Sequence, residues 1–449
     1  MQRELTFPDL CRSGRGDLSW RKIIFRRHKP ARLNSQLQPT SSGERIGSLD
    51  FLRGLAILGI LIINVETFSY PDPWSPYKFG FAGELDHDTR FWVYFLAQGK
   101  FFSMFTLLFG VGFYIFLERL EQKGLGLKAM DIYARRLLWL FVFGVVHAYL
   151  IWDGDILYHY ATCGFLLFPF RSFSVRRLLL VLLIPVAIVL YNAYESAGRA
   201  QEQYRAFTDA TAVAETDRSE ADRKAITSWE NRTSKKEADR TEMPVPRQTY
   251  FESIATNAEH TRVHKGVIFY QGILFRTLIM MMLGILLYKL DVFRDYRNLP
   301  HYWLITATVL AIALVVNYLR YYQWTYAYFE PVRSVWRAWL FAFPKELLGL
   351  AYILLFNGIY QRWLQNLSFR PVSMAGKMAL TNYILQSIIC GFIFYGYGLG
   401  QYNQISRTEL LPIVAAIWVA QLVLSWWWLR RFRQGPLERL WRRLTYGRS

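Results

Sequence analysis

The stretch RRLLWLFVFGVVHAYLIWDGDILYHYA, residues 135–161, brings an imidazole and two carboxylates to the junction of two apolar segments. His147 stands near the end of the first segment, and Asp153 and Asp155 follow in a WDGD turn. A neutral histidine with one ring nitrogen held by a carboxylate offers the other as a base or nucleophile. Either aspartate is within reach across the turn, and the spacing leaves the choice open. Ionisable groups at membrane depth are costly and by default mark a functional site. The blander reading is a histidine at headgroup level, with the aspartates capping the next helix.

Other residues carry weaker signals. Asp50 and Arg53 open the first apolar segment in SLDFLRG. The planar fork of an arginine suits a phosphate, although an N-cap aspartate beside a snorkelling arginine is the plainer account. Lys100, in GKFFSMFTLLFG, falls about ten residues into an apolar run, so it needs a partner or a wet cavity. The pair Lys345–Glu346, inside another run, could answer it, or the two could answer each other. In ALTNYILQSIIC, Thr381, Asn382 and Tyr383 sit one helical turn from Gln386 and Ser387, and these polar residues either glue helices together or line a substrate site. Cys11, Cys163 and Cys390 are scattered, so neither a disulfide framework nor a metal cluster is expected. No P-loop, dinucleotide fingerprint, HExxH or GxSxG element occurs in a fitting context, which argues against an ATP-driven pump or a zinc protease. No inverted repeat of broken helices of the secondary-transporter kind is legible.

The elements that must hold these groups are apolar segments. Of 449 residues, 53% are hydrophobic, and runs of about 18–25 apolar residues recur, the length that crosses a bilayer as helix. The pattern predicts an all-α polytopic membrane protein. Ten spans are expected, near residues 49–68, 91–117, 137–151, 156–170, 178–194, 272–290, 302–321, 336–360, 372–397 and 410–429. The formal charge of +19 would suggest nucleic acid in a soluble protein. Here the basic residues sit at the ends of spans, where they set orientation and attract anionic lipid, so no nucleic acid is expected. Residues 1–50 carry ten Lys/Arg against five acids, and the tail from Arg430 seven Arg against one Glu. Both termini are therefore expected in the cytoplasm. The organisation follows: a basic arm 1–48, a five-span domain 49–194, a charged extracytoplasmic insert 195–268, and a second five-span domain 269–449 with its basic tail. The first 48 residues lack the apolar core of a signal peptide.

SLDFLRGLAILGILIIN, GKFFSMFTLLFGVG, GVVHAYLIWDGDILYHYA, GKMALTNYILQSIIC and RFRQGPLERLWRRLTY occur in that order. Together they resemble the successive signatures of the YeiB-like bacterial inner-membrane proteins. More remotely, that family is similar to transmembrane acyltransferases such as the lysosomal heparan-glucosaminide acetyltransferase. The resemblance implies a multi-pass protein of the bacterial inner membrane. It also implies an acyl-CoA or acetyl-CoA donor on the cytosolic side, held with help from the LDFLRG opening, and a catalytic His/Asp site in the membrane. The lysosomal enzyme places its histidine in the first lumenal loop; the YeiB-like pattern offers His147 after the third span. Joined to the residues above, this gives His147, Asp153 and Asp155 as catalytic, Asp50, Arg53 and Lys100 as donor-binding, and Lys345, Glu346, Asn382 and Gln386 as substrate-binding. The acceptor would be a small molecule, glycan or lipid; a homo-oligomer is left open. The alternatives are a transporter or exporter with a His/Asp/Lys relay, and a non-catalytic membrane scaffold.

Overall fold

In a computed structural model, residues 46–74, 79–80, 83–233, 247, 249–268, 272–325, 335–364 and 370–447 are described. The basic arm lies outside them, apart from its last three residues. Among the described residues the chain is helical throughout.

The membrane part begins with α1 (Gly47–Ser69), α2 (Glu84–Leu96), α3 (Lys100–Gln122), α4 (Leu127–Leu150) and α5 (Leu157–Leu167). Then α6 (Val175–Ala212) runs from the expected fifth span straight into the insert, which goes on as α7 (Glu220–Thr233) and α8 (Tyr250–Ile268). The second part comprises α9 (Leu274–Lys289), α10 (Tyr302–Thr325), α11 (Val335–Leu340), α12 (Pro344–Ile359), α13 (Arg370–Lys377), α14 (Ala379–Phe394) and α15 (Arg407–Arg431), and α16 (Pro436–Tyr446) closes the chain. Among the described residues, six helical stretches are long and apolar enough to cross a bilayer, or seven if α13 and α14, bent by 85°, make one span. Expected spans three, four and six are outside this set. Span three lies within α4, whose first half carries Lys128, Asp131, Arg135 and Arg136. Spans four and six correspond to α5 and α9, with 11 and 16 residues, short of the roughly 20 that a bilayer requires.

Local chemistry explains where elements begin. Ser406 and Glu409 form a reciprocal capping box ahead of α15, satisfying two otherwise orphaned N–H groups. Span two is interrupted at Ala97–Gly99, where Gly99 takes φ +78°, a left-handed conformation that suits glycine. Span eight is interrupted at Phe341–Phe343, and Pro344 opens α12, a position that tolerates proline because no intrahelical donor is lost there.

The bundle has two ends. At the proximal end, α1 begins against the C-terminal part of α12, with Phe51 stacked on Tyr360 at 5.0 Å. There α13 crosses the first turns of α1 so closely that a β-carbon at Gly376 would collide with the Asp50 carbonyl, and one at Gly54 with that of Val372. Backbones meet this closely only where side chains are absent. At the distal end, α1 finishes among Trp152, Phe394 and Tyr395, with Phe68 stacked on Trp152 at 4.5 Å. The large core between the ends is built mainly from α1, α3, α5, α9 and α12.

Candidate functional site

His147 is one turn from the end of α4, and its carbonyl accepts the N–H groups of Ile151 and Trp152, which turns the chain. Stacking of Trp152 on Phe68 then sinks the WDGD turn into the bundle. Gly144 lets α5 come close, since a β-carbon there would strike the backbone of Tyr158. The result is that Asp155 Oδ1 lies 2.8 Å from His147 Nδ1, with both side chains fully buried. The other oxygen, Asp155 Oδ2, accepts the N–H of Tyr158 at 3.1 Å and so helps start α5. With Asp155 ionised it can only accept, so Nδ1–H is the donor and, in the neutral ring, Nε2 carries the lone pair. Among the described residues, His147 Nε2 is buried without a hydrogen-bond partner. Beside the imidazole lie the Tyr383 ring at 5.0 Å and the Trp152 ring at 6.2 Å.

The two aspartates that the sequence leaves equivalent therefore part company. Asp153 faces the insert: His260 Nδ1 of α8 lies 2.7 Å from its Oδ2, and Arg247 Nη2 is 3.7 Å from its Oδ1. Tyr250 adds a hydrogen bond to the Leu150 carbonyl at 2.8 Å. The insert thus grips the turn that carries Asp155. The bond to Asp153 raises the His260 pKa above the usual histidine value, against the opposing effect of burial.

The other sequence-derived candidates do not gather here. Asp50 and Arg53 form their own ion pair at 2.7 Å at the proximal end. Lys100 is fully buried at the first residue of α3, at the distal end. Its Nζ donates to the Tyr94 carbonyl at 2.6 Å and rests 4.0 Å above the Tyr321 ring. Arg53 and Lys100 are separated by about the length of α12, because Phe51 touches one end of that helix and Gly99 abuts Lys345 at the other. Glu346 pairs with Arg276 of α9 at 2.8 Å rather than with Lys100. Asn382 donates to the Ala375 carbonyl and Ser425, and Gln386 to the Ile57 carbonyl and Gln421. These bonds tie α14 to α1 and α15, while the side-chain oxygens of Asn382 and Gln386 stay without partners.

The sequence reading passed over a distal cluster. Glu66 near the end of α1 accepts from Tyr94 at 3.1 Å and lies 3.8 Å from Arg407, all three being buried. Arg90 of α2 donates to Thr325 at 3.2 Å. The signal available was the presence of Glu66 and Arg90 within or beside apolar windows. Among the described residues, no group of three or more His, Cys, Asp or Glu side chains is arranged to hold a metal ion.

These features define a class: a helical, multi-pass membrane protein, set in a lipid bilayer, with a buried histidine–aspartate pair at a sunken turn between two helices. A family model described as a protein of unknown function (DUF418) matches residues 287–448. The chain is 31% identical to the uncharacterized protein YxaH of Bacillus subtilis (strain 168) over 450 residues, covering 92% of this chain and 97% of the relative. It is 29% identical to the uncharacterized protein YeiB of Escherichia coli (strain K12) over 417 residues, 90% and 96% of the two chains. An uncharacterized 39.9 kDa protein from the amylase 3' region of Bacillus acidopullulyticus is 27% identical over 433 residues, 92% and 97%. The chain belongs to this YeiB-like DUF418 family. No solved structure matches it.

Proposed function

We propose that the protein is an inner-membrane acyltransferase that moves an acyl group from cytosolic acyl-CoA, acetyl-CoA included, to a hydroxyl or amine on the other side. One observation carries the reading: a fully buried imidazole whose Nδ1 lies 2.8 Å from Asp155 Oδ1 and whose Nε2 has no hydrogen-bond partner among the described residues. A buried polar atom without a partner costs about 1–3 kcal/mol, so leaving one in place fits a group kept ready for chemistry. As a base, Nε2 takes the proton of the acceptor's O–H or N–H while the acceptor attacks the thioester carbon. The C–S bond breaks, and the proton passes to the departing thiolate. As a carrier, Nε2 itself attacks the thioester carbon, the C–S bond breaks and the thiolate leaves; in a second step the acceptor takes the acyl group from Nε2 and its proton passes to the thiolate. In both, Asp155 stabilises the imidazolium that forms, by the logic of the catalytic triad.

Arg53 suits the phosphates of the donor. It is partly exposed, and its charge adds to those of Arg136 and Arg442 at the proximal end. Arg136 is held between Phe116 and Trp441 of α16. Lys100, at the other end, has no part in donor binding on this reading. The acceptor is a small molecule, glycan or lipid that approaches from the side of the insert. The test is thiol release from acyl-CoA by the protein in liposomes, with sugar, amine and lipid acceptors. Release that needs an acceptor supports the proposal; its absence with every pair sinks it. The interruptions of spans two and eight favour a transporter as the second reading, and proton-coupled flux without thiol release would select it.

A further inference from the structure

The interruptions at Ala97–Gly99 and Phe341–Phe343 meet. Lys345 crosses Gly99 so tightly that a β-carbon there would collide with the lysine side chain. Both α3 and α12 therefore begin at this point, and neither has a side-chain cap on its first turn. The positive ends of two helices thus face one place. Four cations collect around it: Lys100 and Lys345 in the two first turns, Arg276 in the first turn of α9, and Arg320 near the end of α10. Lys345, Arg320 and Glu346 are the charged groups that act on Lys100, and Arg320, Glu346 and Arg276 those that act on Lys345.

Glu346 is the single carboxylate in that set, and Arg276 already holds it. Lys100 has only a carbonyl and the face of a ring. Among the described residues Lys345 and Arg320 make no ion pair. The neighbouring carboxylate Glu66 lies against Arg407 and Arg90, so it does not restore the balance. An excess of positive charge among apolar helices is expensive, and helix N-termini with free N–H groups are anion sites.

We propose that this junction binds an oxyanion: a phosphate or carboxylate group seated between the starts of α3 and α12, held by Lys345 and Arg320 and backed by Lys100. The site stands apart from the histidine–aspartate pair and does not rest on the acyltransferase reading. A free anion and the phosphate of an anionic lipid headgroup share this chemistry.

The experiment measures binding by purified wild type, Lys345→Gln, Arg320→Gln, Lys345→Arg and, as a surface control, Arg297→Gln. One arm titrates inorganic phosphate against protein in neutral detergent. The other counts lipids retained from nanodiscs of phosphatidylglycerol against phosphatidylcholine. We expect one probe to bind wild type and Arg297→Gln alike, and each Gln variant to bind it about tenfold more weakly, as the loss of one charge-assisted contact implies. Lys345→Arg should restore most of the affinity. Without any anion, Lys345→Gln should unfold at the same temperature as wild type or higher, since it removes a half-buried basic group that has no ion pair among the described residues. Binding of neither probe, binding equal in wild type and both Gln variants, or a Lys345→Gln protein less stable than wild type without anion would overturn the proposal.

Discussion

Asp155 makes two bonds at once, and substitutions there separate its roles. Replacement by alanine leaves the His147 Nδ1–H and the Tyr158 N–H without acceptors, both in the buried turn. A lost helix cap costs about 1 kcal/mol and an orphaned buried donor about 1–3 kcal/mol, so Asp155→Ala should destabilise the fold by roughly 2–4 kcal/mol. Asp155→Asn keeps an acceptor oxygen for one of the two bonds and should cost about half as much. Its effect on chemistry should be the larger one. The amide no longer stabilises a charged imidazole or holds the ring in one tautomer, and such a change lowers kcat by about 10⁴-fold in a triad enzyme. The assay pairs unfolding in mild detergent with single-turnover thiol release on the same preparation. A folded, inactive Asp155→Asn and a less stable Asp155→Ala are expected. If Asp155→Asn turns over like wild type the pair is not catalytic, and if Asp155→Ala is as stable as wild type it is not structural; either result refutes the reasoning.

Two further outcomes follow from the packing. Gly376→Ala should cost about 1–3 kcal/mol or more through overpacking of α13 on α1, read as loss of monodisperse protein. Gly112→Ala, inside α3 with nothing near the added methyl, should be neutral or stabilising by up to about 1 kcal/mol. The His260–Asp153 bond should make the insert's grip depend on pH. The His260 pKa is raised on folding, so its contribution is fully present below about pH 6.5 and is lost as pH rises through the folded value. The side chain is 46% exposed, which limits the effect to about 0.2–1 kcal/mol; hydrogen exchange of residues 250–262 should quicken with pH beyond its intrinsic rise, and His260→Gln should abolish that excess.

The sequence shows part of this plainly. Apolar length places α1, α10 and α15 within a few residues, because a continuous run with a polar residue at each end leaves little choice of boundary. The juxtaposition of His147 with an aspartate is legible for the same reason: a six-residue connection between two helices leaves few partners. The choice of Asp155 over Asp153 is not, since it depends on His260 and Arg247, about a hundred residues later. Lys100 reads as a residue inside a continuous span because a lone Gln-Gly pair is a faint signal for an interruption. The partner of Glu346 is hidden too, as Arg276 reaches it from a different helix. Such pairings are set by which helices pack together, and a hydropathy pattern carries no record of that.

The central claim is that His147 Nε2 does the chemistry. Its most direct test is acyl-CoA turnover by wild-type protein beside a folded His147→Ala variant under saturating donor and acceptor. The account predicts thiol release from wild type and a loss of at least a hundredfold in the variant, the low end of what a positioned base contributes. Equal turnover in the two proteins would contradict it.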